Sequence, residues 1–506
     1  MVSRRQFLGQ LGIGAAALGY TALNGQAIGR ALAAGAAVGA FVPSMDTVPR
    51  DPITHVITRL TYGVTPELYL HVRQIGAQAF IEEQLAPQSL DDSVIDPLIE
   101  PLLPILNQNG GILAEQYQMD RGRVIATLIG AQAARQIQSA RQLYERMVQF
   151  WGDHFSVFIG KGPVLFLKVD DDRDVIRTHA FGRFRDLLGA SAHSPAMLIY
   201  LDNAQNESSA PNENYARELM ELHTLGVSGG YTEDDVAEVA RILTGWSVEG
   251  REGDPVRFRF RRLAHDWGEK TALGTRFQPD GESEGEQLLD LLAAHPATAR
   301  FIATKLVRRF IADTPPAAAV ARVEAAFTAS SGDLPATLRA LFDTPEFWAA
   351  PPKLKQPLEH ISSLFRALGY TITNPLRLTA ALRDSLDTLG NIPFTWPAPD
   401  GFPDVQSAWQ DGLLTRWNLA IGAVGGEIPG AQWSADPLLA LLQADGVPTD
   451  TGPVLTYFGQ YLFGRPLSTV ETDILLTFAR DSGGSVETQI MAGLALLLAS
   501  PAFQYR

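Results

Sequence analysis

The side chains best suited to chemistry are gathered between positions 202 and 226. Asp202-Asn203-Ala204-Gln205-Asn206-Glu207 is followed, across a short Ser/Ala/Pro loop, by Asn212-Glu213-Asn214-Tyr215-Ala216-Arg217-Glu218-Leu219-Met220-Glu221-Leu222-His223-Thr224-Leu225-Gly226. On a helix turning about 100° per residue, Asn214, Arg217, Glu218 and Glu221 fall within one arc, while Tyr215, Leu219 and Leu222 fall on another face. Two carboxylates three positions apart beside an arginine can hold a divalent cation or act as an acid/base pair, with Arg217 as orienting partner or anion clamp. The same spacing also makes a solvent-facing ladder in which Arg217 pairs with Glu221 four positions on. His223 projects to the opposite side and is not expected to join the two glutamates.

Further ligands must come from elsewhere in the chain. The sequence has no cysteine, which excludes disulfides, thiol catalysis and thiolate metal sites, so any metal must use His, Asp, Glu or amide donors. His154 closes Phe150-Trp151-Gly152-Asp153-His154 on the same side as Met147 and Phe150, and reads either as a ligand or as a core histidine. His179 sits at the edge of an apolar stripe. His265, in His265-Asp266-Trp267-Gly268-Glu269-Lys270, lies in a loop with no core to fill. His154, His265, Glu218 and Glu221 are therefore the candidate metal set, for a divalent ion bound by imidazole and carboxylate. Arg257, Arg259 and Arg261 share one strand face, where they can receive an anion or pair with the protein's own acids. Phosphate-binding, dinucleotide, nucleophile-elbow and His-Glu-x-x-His motifs are absent.

The elements that must position these residues are mainly helical. From Asp51 apolar residues recur at helical spacing, with a second helix expected over Pro66 to Leu85 and a long helical stretch from Leu113 to Phe155 broken near Ser139. Val164 to Lys168 reads as a short strand, and the acidic run from Asp170 to Asp174 as the start of the next helix. Ser194-Pro195 and Thr232 with Asp235 read as helix N-termini. The one clear β signal is Arg257 to Arg261 followed by Lys270 to Phe277, a hairpin-like pair. The expected fold is a large multi-helix globule with a small β-hairpin insertion. The chain units ending Thr344-Pro345-Glu346-Phe347 and Ser500-Pro501-Ala502-Phe503 suggest a duplicated helical module. Pro393 to Asp404 is an aromatic, proline-rich loop expected to serve structure.

Composition bounds the function. The 506 residues carry a formal charge of −15, which repels phosphate backbones and disfavours general nucleic-acid binding. Ser3-Arg4-Arg5-Gln6-Phe7-Leu8 followed by a weakly apolar Gly/Ala stretch reads as a twin-arginine signal, with small residues at Ala31 to Ala34 suited to cleavage. The expected organisation is a signal over 1–34, a linker over 35–50 and a helical domain over 51–506 with sub-boundaries near 280 and 395. The mature chain is expected to be periplasmic or extracellular, without an integral membrane span.

The run Asn212 to Leu219, with Glu221, Thr224-Leu225-Gly226 and Leu243-Thr244-Gly245-Trp246, resembles the bacterial domain of unknown function 1800 family. So do Phe150-Trp151, His154-Phe155, the His265 to Lys270 segment and the closing Ser500-Pro501-x-Phe503-Gln504-Tyr505-Arg506. The resemblance spans nearly everything from Asp51 onward. It implies an exported bacterial protein, often encoded beside a second exported, sulfatase-like protein, and no established reaction. Gly152-Asp153 stands where relatives carry His-Asn, so a metal site there would be incomplete or rebuilt with Asp153; relatives usually carry Phe where His223 stands, which points to packing. Two functional readings follow: a metal- or carboxylate-dependent enzyme acting on an envelope or extracellular polymer, or a non-catalytic envelope assembly or surface-display partner.

Overall fold

In the computed structural model, the described residues are 50–506 apart from Arg251 and Glu427; the twin-arginine signal and nearly all of the linker lie outside them. Helices dominate, and their starts follow local chemistry. Asp51 accepts the Thr54 amide ahead of Pro52–Leu60 (3.0 Å), and Thr232 and Asp235 form a reciprocal capping box ahead of Glu233–Ile242. Ser194 departs from expectation: it precedes Pro195–Tyr200, but its hydroxyl donates to the Asp171 carboxylate (2.7 Å) instead of capping.

Several expectations are corrected. The Pro66 to Leu85 stretch is two helices, Pro66–Ile75 and Ala77–Leu85, because Gly76 takes φ +86°. Leu113 to Phe155 is interrupted twice, giving Gly110–Tyr117, Arg121–Gln138 and Gln142–His154. Val164 to Lys168 is not a strand but part of the helix Val164–Asp170, every residue of which from Val164 to Val169 is buried. An apolar run buried on all sides carries no period to distinguish strand from helix. The acidic run does not open a helix either; it continues this one as a wide, π-type turn, Asp171–Arg177. Its carboxylates are tied into ion pairs, Asp171 with Lys168 (2.6 Å) and Asp172 with Arg177 (2.9 Å).

The described strands form three two-stranded antiparallel ribbons. β1 (Trp246–Glu249) pairs with β2 (Arg257–Phe260), and β3 (Lys270–Ala272) pairs with β4 (Thr275–Phe277). The expected pairing of Arg257–Arg261 with Lys270–Phe277 is therefore wrong. Lys270–Phe277 turns back on itself at Leu273 and Gly274, both with positive φ (53° and 71°), as a two-residue hairpin turn requires. β5 (Thr371–Ile372) and β6 (Ala431–Gln432) complete the set.

One apolar core runs from Val56 to Phe503. Two stretches share an element order of three helices and a short capped helix: Pro296–Phe310, Ala317–Ala329, Leu334–Phe342, Pro345–Trp348, and Thr451–Phe463, Thr469–Asp481, Val486–Ala499, Pro501–Gln504. The hydroxyls of Thr344 and Ser500 accept the amides of Phe347 and Phe503 in the same way. No helix among the described residues is long and apolar enough to cross a membrane.

Candidate active-site cleft

Three segments distant in sequence enclose a cleft of about 300 Å³, at the lower end of the size of small-ligand sites. The helix Gln142–His154 contributes Phe150, Asp153 and His154, spaced three and four positions apart on one face. The helix Pro296–Phe310 contributes Phe301, Lys305, Arg308 and Arg309, again one face. The loop from Asp400 to Val405 closes the third side. Gly401 lets that loop sit down: it has φ +72°, and a methyl group there would collide with the carbonyl of Asp153. The segment expected only to serve structure is thus a wall of the cleft.

The titratable groups are strongly perturbed. Burial pushes the half-buried Asp153 carboxyl up to about 7; Asp404 adds to the rise, while Arg309, Lys305 and Lys168 oppose it. Burial brings Lys305 down to about 8, helped by Arg308 and opposed by Asp153, Asp404 and Asp400. The Lys305 ammonium donates to His154 Nδ1 (2.8 Å), so the His154 proton sits on Nε2 and is donated to the His223 carbonyl (3.0 Å). Burial, then Lys305, keeps that imidazole neutral, well below its ordinary range. The His223 carbonyl is available because Leu219–Thr224 is another π-type turn, with the Leu225 amide reaching back to Met220 (2.7 Å).

Beneath the cleft the charges are locked. Glu359 lies between Arg309 (3.0 Å), Arg146 (3.1 Å) and Arg506 (3.4 Å). Burial works against its charge, and the three arginines outweigh burial and hold it well below the carboxylate range. Asp404 is likewise kept ionised against burial, by Lys353 (3.1 Å) and then Arg309 (3.7 Å). Asp153 and Asp404 are two carboxyls whose surroundings drive them apart, one toward the proton and one away from it; such a division separates acid from base in many active sites. Asp153 also borders a second cavity of about 40 Å³ lined by Gln132, Gln149, Ser156 and Asn391, polar and roomy enough for water.

The residues singled out from the sequence divide. His154 belongs to the cleft. Glu218 is half-buried, raised by burial and then by Glu221, and within electrostatic reach of Asp400; Leu222, one turn on, lines the cleft. Glu221 accepts only a long hydrogen bond from Tyr231 (3.4 Å). Arg217 does not pair with Glu221, as the ladder required; it bridges Glu233 (2.7 Å) and Glu213 (3.3 Å). His265, expected in an open loop, is buried and engaged through both ring nitrogens, with the Thr244 carbonyl (2.8 Å) and with Glu284 (3.0 Å), which Lys270 also pairs (2.7 Å).

No three His, Asp or Glu side chains among the described residues are grouped to hold a metal ion. His154, His265, Glu218 and Glu221 do not converge, and both imidazoles already have hydrogen-bond partners at each nitrogen. His223 is fully buried among aromatic rings, Phe155 at 5.1 Å and His154 at 6.2 Å, in a packing position. Lys305, Arg309, Asp404 and Glu359 were not singled out; the Arg308-Arg309 pair and the two aspartates flanking Gly401-Phe402-Pro403 were the available signals.

Fold and cleft together describe a mainly helical protein with a cleft of perturbed titratable groups at the junction of two helices and an aromatic loop. The chain belongs to the family described as protein of unknown function (DUF1800), whose sequence model matches residues 55–505. No curated protein and no solved structure matches the chain.

Proposed function

We propose that this protein is an exported, carboxylate-dependent enzyme that acts on an envelope or extracellular polymer, with Asp153 as its proton-transfer group. The observation that carries this reading is the meeting of Asp153 and Lys305 in one open cleft, poised at about 7 and about 8. A general acid or base is most effective near the working pH, and perturbed groups in a cleft are where catalysis is found. Protonated Asp153 gives its proton to a leaving oxygen; the resulting carboxylate takes one from water. Lys305 and Arg309 stabilise the carboxylate between these steps, and Phe150, Phe301 and Phe402 supply apolar walls against which a substrate ring can lie. Glu218 sits at the approach to this cleft and Arg217 braces its helix, so these residues act in positioning. Among the described residues no three metal donors are grouped, so the support in the cleft goes to the carboxylate-dependent form.

The test is incubation with envelope and extracellular polymers, followed by analysis of released fragments. Asp153→Asn is expected to lower turnover by about 10²–10⁴-fold while the melting temperature does not fall. Turnover equal to that of the wild type would remove Asp153 from the chemistry.

A second reading, a non-catalytic assembly or display partner for a second exported, sulfatase-like protein, draws on the asparagine-rich motif. Asn203 donates to the Trp246 carbonyl (3.0 Å), Asn206 to that of Ala240 (2.9 Å), and Asn214 to that of Leu201 (3.1 Å). These side chains staple helices and β1 together, a scaffold's use of polar residues. Co-purification of the sulfatase-like protein with both the wild type and Asp153→Asn, without fragment release by either, is the outcome this reading expects.

A further inference from the structure

The arginines of β2 lie on a surface unlike the rest of this acidic chain. Residues 257–277 hold five exposed arginines and two acidic side chains. Along β2, exposed Arg257 and Arg259 alternate with half-buried Phe258 and Phe260, and exposed Arg261 and Arg262 follow. Arg259 is neutralised by Glu249 and Arg276 by Glu269. Arg257, Arg261 and Arg262 have no carboxylate partner among the described residues.

Apolar groups stand in the same place. Leu263 is 100% exposed and Trp267 is 41% exposed. The Arg262 guanidinium lies 4.6 Å over the Trp267 ring, whose indole N–H donates to the Arg262 carbonyl (3.2 Å). A lone exposed leucine is ordinary, but this one is held out. The Arg261 amide is bonded to the Gly245 carbonyl (2.7 Å), the Ser208 amide to that of Ala264 (2.8 Å), and His265 is anchored below. The tip has no freedom to fold Leu263 back.

We propose that this face docks on an anionic bilayer surface. Arginines free of acids match negative headgroups, while a projecting leucine and a tryptophan plate are groups that settle at the boundary between headgroups and acyl chains. A soluble polyanion would use the arginines and gain nothing from Leu263. Docking of this kind would hold the protein at the envelope by contact, independently of the chemistry in the cleft.

The test is co-sedimentation of the purified protein with vesicles of equal parts phosphatidylglycerol and phosphatidylcholine, against vesicles of phosphatidylcholine alone. Binding is expected to the anionic vesicles, falling as salt is raised. Replacing Arg261 and Arg262 together by Gln should weaken it about thirtyfold, each arginine near a charged leaflet being worth about a fivefold factor. Leu263→Asn should weaken it about tenfold, with melting curves of all variants unchanged, and Arg322→Gln, an exposed arginine outside this segment, should bind as the wild type does. Failure of the wild type to bind anionic vesicles would overturn the proposal. So would binding that falls with the arginines but is indifferent to Leu263, which would assign the face to a soluble polyanion.

Discussion

Replacing Asp153 by Asn should make the protein more stable, and only above a definite pH. Burial raises this carboxyl from 3.8 to about 7. A rise of about three pH units corresponds to about 4 kcal/mol, and the half-exposed position on the cleft wall reduces the expected effect to about 2 kcal/mol. The sign follows from the folded pKa lying above the unfolded one. Below 3.8 both states carry the proton and the carboxyl costs nothing. Between 3.8 and about 7 the unfolded chain ionises first, so stability falls as pH rises; above about 7 the penalty is constant. Asn keeps the shape and cannot ionise. Denaturant midpoints of wild type and Asp153→Asn should therefore coincide near the bottom of this range, separate through it, and stay separated by a fixed amount beyond it. Groups retained for activity at a cost in stability behave this way. A variant less stable than the wild type at high pH, or a difference that does not change with pH, would show that Asp153 is an ordinary satisfied carboxylate and would refute the assignment of the cleft.

Lys305→Met should show the mirror dependence. Lysine brought from 10.5 to about 8 by burial penalises the fold while it is charged, so the wild type should gain on the variant as pH climbs from about 8 toward 10.5, read in the same denaturant experiment. Glu359→Gln removes the one carboxylate between Arg146, Arg309 and Arg506 and should cost about 3–5 kcal/mol, visible as a large fall in melting temperature. Gly401→Ala must place a methyl group against the Asp153 carbonyl at positive φ; a loss of about 1–3 kcal/mol is expected, together with reduced turnover as the loop is displaced. Changing Arg4 and Arg5 together to Lys should leave precursor in the cytoplasm by cell fractionation, because an ammonium does not reproduce the guanidinium pair.

What the sequence showed and what it concealed divide along a physical line. Local chemistry was legible: the Thr232–Asp235 capping box, the break near Ser139 and the shared Thr/Ser-Pro-x-Phe endings each depend on neighbours a few positions away. Chemistry that depends on distant partners was not. Glu218, Glu221 and Arg217 stood out because polar residues crowd that stretch, but crowding along the chain says nothing of which residues burial will perturb. The asparagines beside them are consumed in backbone hydrogen bonds, and Arg217 answers Glu233, sixteen positions on. His265 seemed free in a loop because Glu284, its partner, lies on the following helix. Asp153 drew notice only as a departure from what relatives carry, and Lys305 looked like any helical lysine. Their common property is that each sits on a helix face otherwise given to packing, where the Asp400–Val405 loop leaves a gap. Burial there penalises each charge separately, and their mutual attraction returns only part of that cost, leaving one proton-binding group near 7 and another near 8. That balance is a property of three segments folded together, and a linear pattern of residue types has no term for it.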